Sequence, residues 1–325
     1  MVQDSETGSL VPIDFRHISD HVPELRKFGY QLQSVSFDPV QDSSNIDPAV
    51  WTKLAEIIEE GYANFDGFVI LHGTDTMAYS ASALSFMLEN LKKPVIFTGS
   101  QLPIGLLRTD GRDNLITAIE MAAARIDEVP AVPEVCIYFD NSLTRGNRTT
   151  KVSAEHFDAF SSPNYPALAE VGLHLKYFNN LIRYAPYNQE LVVHKNFDNN
   201  VAILKLFPGL NRNLVKAVIN TEGLRGLIVE TFGSGNAPTY EWFLDDLRQF
   251  NDKGGIILNV TQCHGGSVEM GLYETSRKML EAGVISGKDI TSEASVTKLM
   301  HLLGRYRSKE KVVESLKISL AGEIS

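Results

Sequence analysis

Thr74 and Asp75 stand in the run Gly67-Phe68-Val69-Ile70-Leu71-His72-Gly73-Thr74-Asp75-Thr76, where an apolar stretch gives way to a hydroxyl, a carboxylate and a second hydroxyl. A threonine hydroxyl is a weak nucleophile until a base lies beside it. A neighbouring carboxylate, with a lysine from elsewhere in the chain, can supply that base. The apolar stretch reads as a strand and the residues from about Thr76 as a helix. The pair therefore falls at the carboxyl end of a buried strand, the edge at which open α/β sheets hold their ligands. The helix would aim its first N–H groups at an oxyanion. The competing reading is that Thr74 and Asp75 only cap that helix, both being favoured cap types. Spacing alone favours the cap.

Four other clusters carry chemical side chains. Asp42-Ser43-Ser44 can bind the amine and carboxylate of an amino acid, or can simply form a turn and an N-cap. Lys151 closes the run Arg145-Gly146-Asn147-Arg148-Thr149-Thr150-Lys151; it can act as a desolvated base, although the run alone reads as a solvated basic loop. Thr231-Phe232-Gly233-Ser234-Gly235-Asn236 is a Gly-rich turn after a strand, without the GxGxxG spacing, and no Walker motif occurs. Nucleotide binding is accordingly the weakest of the functional readings. Thr261-Gln262-Cys263 closes a further strand, and His264 beside it has no second histidine or cysteine pair at ligand spacing. No zinc site is expected.

The elements that must position these groups alternate between strand and helix. A strand is expected over Gln31–Phe37 and a helix over Pro48–Tyr62, with Pro48 in its first turn and Asp47 as its cap. Strand Gly67–Leu71 is followed by a helix carrying Leu84, Met87, Leu88 and Leu91 on one stripe, then by strand Val95–Thr98. This is a βαβ unit, whose strands should be parallel and joined right-handed. Helix Asn114–Arg125 and strand Glu134–Phe139 follow. A polar, irregular linker holds one short strand, Leu191–His194, before the alternation resumes: Val201–Phe207, Leu214–Asn220, Gly226–Thr231, Tyr240–Asn251, Gly255–Val260, Tyr273–Glu281 and two terminal helices. The expected fold is α/β with two domains, each a mainly parallel sheet flanked by helices, the N-terminal one larger. The expected bounds are residues 1–180, a linker over 181–199, and residues 200–325.

Composition sets outer limits. The chain has 325 residues, 43% hydrophobic and 22% charged, as in an ordinary globular protein. A net charge of -10 argues against nucleic acid as a partner. No apolar run is long enough to span a membrane. The two cysteines, Cys136 and Cys263, lie far apart, so a disulfide framework is not expected and a reducing compartment fits. Cys136 reads as a small buried hydrophobe in a strand.

Taken together the motifs resemble one family, the cytoplasmic type I L-asparaginases. The resemblance runs through His72-Gly73-Thr74-Asp75-Thr76-Met77-Ala78-Tyr79, Leu84-Ser85-Phe86-Met87-Leu88-Glu89-Asn90-Leu91, Thr98-Gly99-Ser100-Gln101, the Arg145–Lys151 run, Gly233-Ser234-Gly235-Asn236-Ala237-Pro238 and Thr261-Gln262-Cys263. It implies hydrolysis of L-asparagine to L-aspartate and ammonia, with no metal or cofactor. It implies a triad of Thr74, Lys151 and Asp75, a substrate-binding loop at Asp42, Ser43 and Ser44, and Asn236 reaching across to the site of a neighbouring subunit. It also implies a homodimer or homotetramer in the cytoplasm. Colinearity over almost the whole chain replaces the capping and loop readings with these functional ones.

The chain departs from the family pattern at three places. The resemblance places an acyl-accepting threonine in a Gly-Gly-Thr-Ile-Gly turn after a first strand, ahead of the position of Met1; that motif does not occur in the 325 residues. Thr7, the first threonine present, has no physical case as its substitute. The following loop reads Gly8-Ser9-Leu10-Val11-Pro12, without the tyrosine that many relatives carry. Some bacterial members bind a second asparagine through an arginine just before the Gly-rich turn, together with the strand end that is Thr261-Gln262-Cys263 here; this chain has Glu230 at the arginine's place, and its charge would repel the ligand's carboxylate. The expectation is an asparagine amidohydrolase whose complete form carries a further N-terminal strand; the alternative is a catalytically deficient asparagine- or aspartate-binding protein.

Overall fold

The computed structural model describes residues 22–325 apart from 272 and 273 and the side chain of Thr275, together with the backbone of residues 2–3 and 10–11. The expectations for Thr7 and for the side chains of residues 8–12 lie outside the described residues.

Two sheets organise the chain. Among the described residues the N-terminal sheet has six strands: β1 (Phe68–Leu71), β2 (Val95–Thr98), β3 (Val135–Phe139), β4 (Ser142–Arg145), β5 (Ala169–Val171) and β6 (Leu175–Tyr177), in the order β6-β5-β4-β3-β2-β1. β1, β2 and β3 are parallel, while β4, β5 and β6 extend the sheet antiparallel. The sheet is therefore mixed, parallel at the half that bears Thr74. The reversal is local: Asp140 and Asn141 join β3 to β4 with φ of 44° and 65°, a two-residue hairpin turn of the kind that needs left-handed residues. The C-terminal sheet is wholly parallel: β7 (Val201–Lys205), β8 (Gly226–Thr231), β9 (Ile256–Thr261) and β10 (Ile285–Ser286), in sequence order.

Helix α1 (Pro48–Gly61) starts as its sequence indicates, with the Asp47 carboxylate accepting from Ala49 N and Val50 N. Helix α2 (Met77–Met87) is buried on almost every side, well beyond the single stripe expected. Its small residues let it lie between the N-terminal sheet and α7 (Ser292–Arg305) of the C-terminal half, so Leu84 belongs to one core and Phe86 to the other. The helix stops at Met87, because Leu88 and Glu89 pair with Val192 and Val193 and Asn90 turns left-handed at φ 63°. That pairing fixes the linker strand to the N-terminal half.

Residues 31–37 form no strand. Leu32 and Val35 are exposed, and alternation by itself makes a strand only where a ladder forms. The other expected elements are present, with ends shifted by a few residues: α3 (Gly111–Ala123), α4 (Arg212–Ile219), α5 (Glu241–Asp252), α6 (Glu274–Glu281) and α8 (Lys309–Lys317).

Candidate active site

The site grows from the parallel pairing of β1 and β2. Leu71 is in register with Thr98, and His72 N donates to Thr98 O at 2.9 Å. The two following turns, His72–Thr76 and Gly99–Leu102, therefore emerge side by side at the carboxyl edge. Thr74 Oγ1 donates to Gln101 Oε1 at 3.1 Å. Gln101 is held in turn: its Nε2 donates to His156 O at 3.0 Å, and its backbone N–H is taken up by the Asp110 carboxylate at 2.9 Å.

Lys151 meets this edge from the other side. Its Nζ lies 2.8 Å from Thr74 Oγ1 and 2.8 Å from Asp75 Oδ1. The three expected triad members thus form one hydrogen-bonded unit. Thr74 and Asp75 are not helix caps: no side-chain cap bond exists at the start of α2, and Thr76 Oγ1 donates instead to Ser43 O at 2.6 Å. With the Asp75 side chain 66% exposed, its pairing to Lys151 adds little stability; its effect is to orient the amine.

The Arg145–Lys151 run is not a solvated basic loop. Arg145 and Arg148 are buried, and each guanidinium has a carboxylate partner. Arg145 forks onto Glu134 at 2.6 and 3.1 Å, while Arg148 Nη1 reaches Asp289 Oδ2 at 2.7 Å and its Nε reaches Gly322 O at 2.7 Å. Gly146 sits where an added Cβ would be 2.9 Å from Ala81 Cβ, so the turn lies directly on α2. Thr150 Oγ1 donates to Glu293 on α7 at 2.6 Å, and burial pushes that carboxyl above its ordinary value. Lys151 then pairs with Phe160 in a short antiparallel ribbon. The basic residues before Lys151 are anchors that deliver it.

The Asp42–Ser44 loop lies against the same turn. Asp42 Oδ1 accepts from Ser44 Oγ at 2.6 Å and Ser44 N at 2.8 Å, and these bonds hold its carboxyl below the ordinary range. A Cβ on Gly73 would fall 2.5 Å from Ser43 Oγ, so glycine there is what lets loop and turn touch. Asp42 forms the turn, and Ser43 of the same loop lies against Gly73 and Thr76.

A hydrogen-bonded Thr-Asp-Lys cluster at the carboxyl edge of a parallel strand, with Ser43 against its turn, is accompanied by two family matches. Residues 1–183 match the family model described as Asparaginase, N-terminal, and residues 200–316 that described as Glutaminase/Asparaginase C-terminal domain. The chain belongs to the asparaginase family. It is 44% identical over 306 residues to L-asparaginase 1 of Escherichia coli (strain K12), covering 94% of this chain and 87% of that protein. It is 47% identical over 267 residues to the 60 kDa lysophospholipase of Mus musculus, covering 82% of this chain but only 46% of that longer protein. The crystal structure of L-asparaginase I from Vibrio cholerae O1 biovar eltor str. N16961 matches with a TM-score of 0.88 at 39% identity, covering 97% of this chain and 93% of that one.

The remaining asparaginase motifs lie on the C-terminal sheet. Asn236 follows β8, and its backbone closes on Phe232. Thr261 Oγ1 donates to Gly233 O at 2.6 Å, and Gln262 Nε2 donates to Leu206 O and Glu230 O at 2.6 and 2.8 Å; both side chains thus tie strand ends together. Cys263 is exposed. The Glu230 carboxylate accepts from Ser292 Oγ at 2.7 Å. Sequence reasoning gave no role to Gln101, Asp110, Thr76 or Glu293. Gln101 stood in a quoted motif, but the partners of all four become visible only when distant turns converge. Among the described residues, no group of three or more His, Cys, Asp or Glu side chains could hold a metal ion, and no helix is long and apolar enough to cross a membrane.

Proposed function

We propose that this protein is an amidohydrolase acting on L-asparagine, releasing L-aspartate and ammonia. The observation that carries the reading is the Lys151 amine bonded to both Thr74 and Asp75 at 2.8 Å, beside the Asp42–Ser44 loop. In this reading Asp42, Ser43 and Ser44 hold the amino and carboxylate groups of the substrate, and Asn236 reaches a neighbouring subunit's site. Thr74, Lys151 and Asp75 move the proton that activates the attacking group and later reaches the departing ammonia. N–H groups at the start of α2 face the developing oxyanion. The acyl-accepting threonine of the family's Gly-Gly-Thr-Ile-Gly turn is assigned to no residue of this chain. The reading includes a homodimer or homotetramer in the cytoplasm, with no cofactor, and a second-asparagine site at Thr261, Gln262 and Cys263 weakened by Glu230.

The test is ammonia release from L-asparagine by the 325-residue chain and by a form extended with a strand and a Gly-Gly-Thr-Ile-Gly turn, run beside calorimetric binding of asparagine and aspartate. Turnover restored by the extension, and abolished again by Lys151→Met, supports the reading. Binding without ammonia in both forms replaces it with a binding protein. Robust turnover by the shorter chain removes the requirement for the additional threonine. Light scattering of the purified chain reports the assembly.

A further inference from the structure

His72 ends β1 two residues before Thr74, and both of its ring nitrogens are engaged. Nδ1 is 2.7 Å from Gly73 O and Nε2 is 2.9 Å from Ser80 Oγ. A carbonyl oxygen only accepts, so the ring proton sits on Nδ1. Burial lowers the pKa of this imidazole and keeps it neutral at neutral pH, leaving Nε2 as an acceptor for the Ser80 hydroxyl. The Ser80 oxygen in turn takes the Trp51 indole N–H at 2.9 Å, and an indole only donates. The chain therefore has one direction: Trp51 to Ser80, Ser80 to His72, His72 to Gly73 O.

The three side chains come from α1, α2 and the end of β1; among the described residues the Thr74 side chain bonds to Gln101 and Lys151 rather than to any of them. Trp51 and Ser80 are buried among Leu54, Ala55, Met77 and Met87. Apolar residues would fill that space with no polar groups to satisfy. What the polar chain adds is a directed bond at one carbonyl, in a turn that lacks any side-chain helix cap. The Gly73 carbonyl belongs to the peptide that leads into Thr74. Fixing that peptide plane fixes the path by which Thr74 Oγ1 meets Lys151.

We propose that Trp51, Ser80 and His72 form a positioning relay that sets the Gly73–Thr74 peptide and so holds Thr74 against Lys151. The proposal rests on Thr74 and Lys151 acting in the hydrolysis proposed above, yet its test can be read without turnover.

The first measurement is long-range proton–nitrogen correlation NMR of the histidine rings in the full chain at pH 7. The expected signature for His72 is a neutral ring protonated at Nδ1, with its Nε2 resonance displaced in Trp51→Phe and further in Ser80→Ala. A ring protonated at Nε2, or doubly protonated, overturns the relay. The second compares His72→Asn with His72→Gln. The asparagine amide occupies the place of Nδ1 and can still donate to Gly73 O, whereas the glutamine amide reaches only the place of Nε2. Competitive acylation of lysine amines, read by mass spectrometry, reports how firmly Lys151 is held. Lys151 should label as in the parent in His72→Asn and several-fold faster in His72→Gln and Ser80→Ala, with the other lysines unchanged. Ser85→Ala, which removes a hydroxyl bonded to Ala81 O on the same helix, should label like the parent. In a form that turns over, kcat should fall about tenfold in His72→Gln with KM little changed. Equal Lys151 labelling in the Asn and Gln variants, or no change in Ser80→Ala, refutes positioning and leaves the amidohydrolase reading intact. Loss of that reading in the ammonia assay leaves the tautomer and labelling results standing.

Discussion

His301 offers a stability test whose sign follows from burial alone. It lies on α7 with no exposed surface and no hydrogen-bond partner at either ring nitrogen among the described residues. The rings of Phe86, Phe197 and His194 surround it at 5.7 to 6.2 Å, and Arg305 lies on the same helix. Burial, then repulsion from His194 and Arg305, pushes its pKa down to about 3 from an ordinary 6.5. The folded chain therefore binds fewer protons at this site than the unfolded chain. Its full contribution to stability is present above pH 6.5 and is lost as the pH falls toward 3. Each pH unit below 6.5 costs the native state about 1.4 kcal/mol, so about 2 kcal/mol is gone at pH 5. His301→Met keeps the volume and removes the titration. Urea unfolding of both proteins at pH 8, 6 and 5 should show the stability difference moving by about 2 kcal/mol in favour of the methionine variant between pH 8 and pH 5. Parallel pH profiles would show that His301 is not held neutral by its surroundings, and the argument from burial would fail.

Other outcomes follow from the site and its anchors. In a form that releases ammonia, Lys151→Met should lower kcat by about two to four orders of magnitude, measured by coupled ammonia assay; a near-parental rate removes the triad assignment. Gly73→Ala drives a Cβ to 2.5 Å from Ser43 Oγ and should displace the Asp42–Ser44 loop, seen as weaker asparagine binding by calorimetry with the fold retained by circular dichroism. Arg148→Met leaves the Asp289 carboxylate, 12% exposed in its side chain, without its cation, and should destabilise the fold by about 3–5 kcal/mol in urea titration.

Local pattern carried much of this molecule. The strand–turn–helix around Thr74, the cap at Asp47 and the parallel C-terminal sheet were legible because each depends on neighbours in sequence: apolar runs, cap side chains and β-to-α punctuation. The family motifs, in order, named Thr74, Asp75 and Lys151. Sequence spacing by itself favoured a helix cap at Thr74 and a solvated loop before Lys151, and both readings fail. Lys151 and Thr74 are 77 residues apart, and only the register of β1 on β2, the reversal at Asp140–Asn141 and the buried arginines bring them together. The alternating residues 31–37 looked like a strand, but a strand is a pairing, and among the described residues no strand forms there. His301 reads in the chain as an ordinary polar helix residue, and α2 closing over α7 makes it a buried one. The sequence by itself determined the order and kind of most elements and singled out the candidate reactive groups, since those are set by short-range preferences and residue chemistry. The tertiary structure decided which groups meet, which charges are dry and which hydroxyl faces the amine, since these depend on contacts that exist only once the sheets are packed.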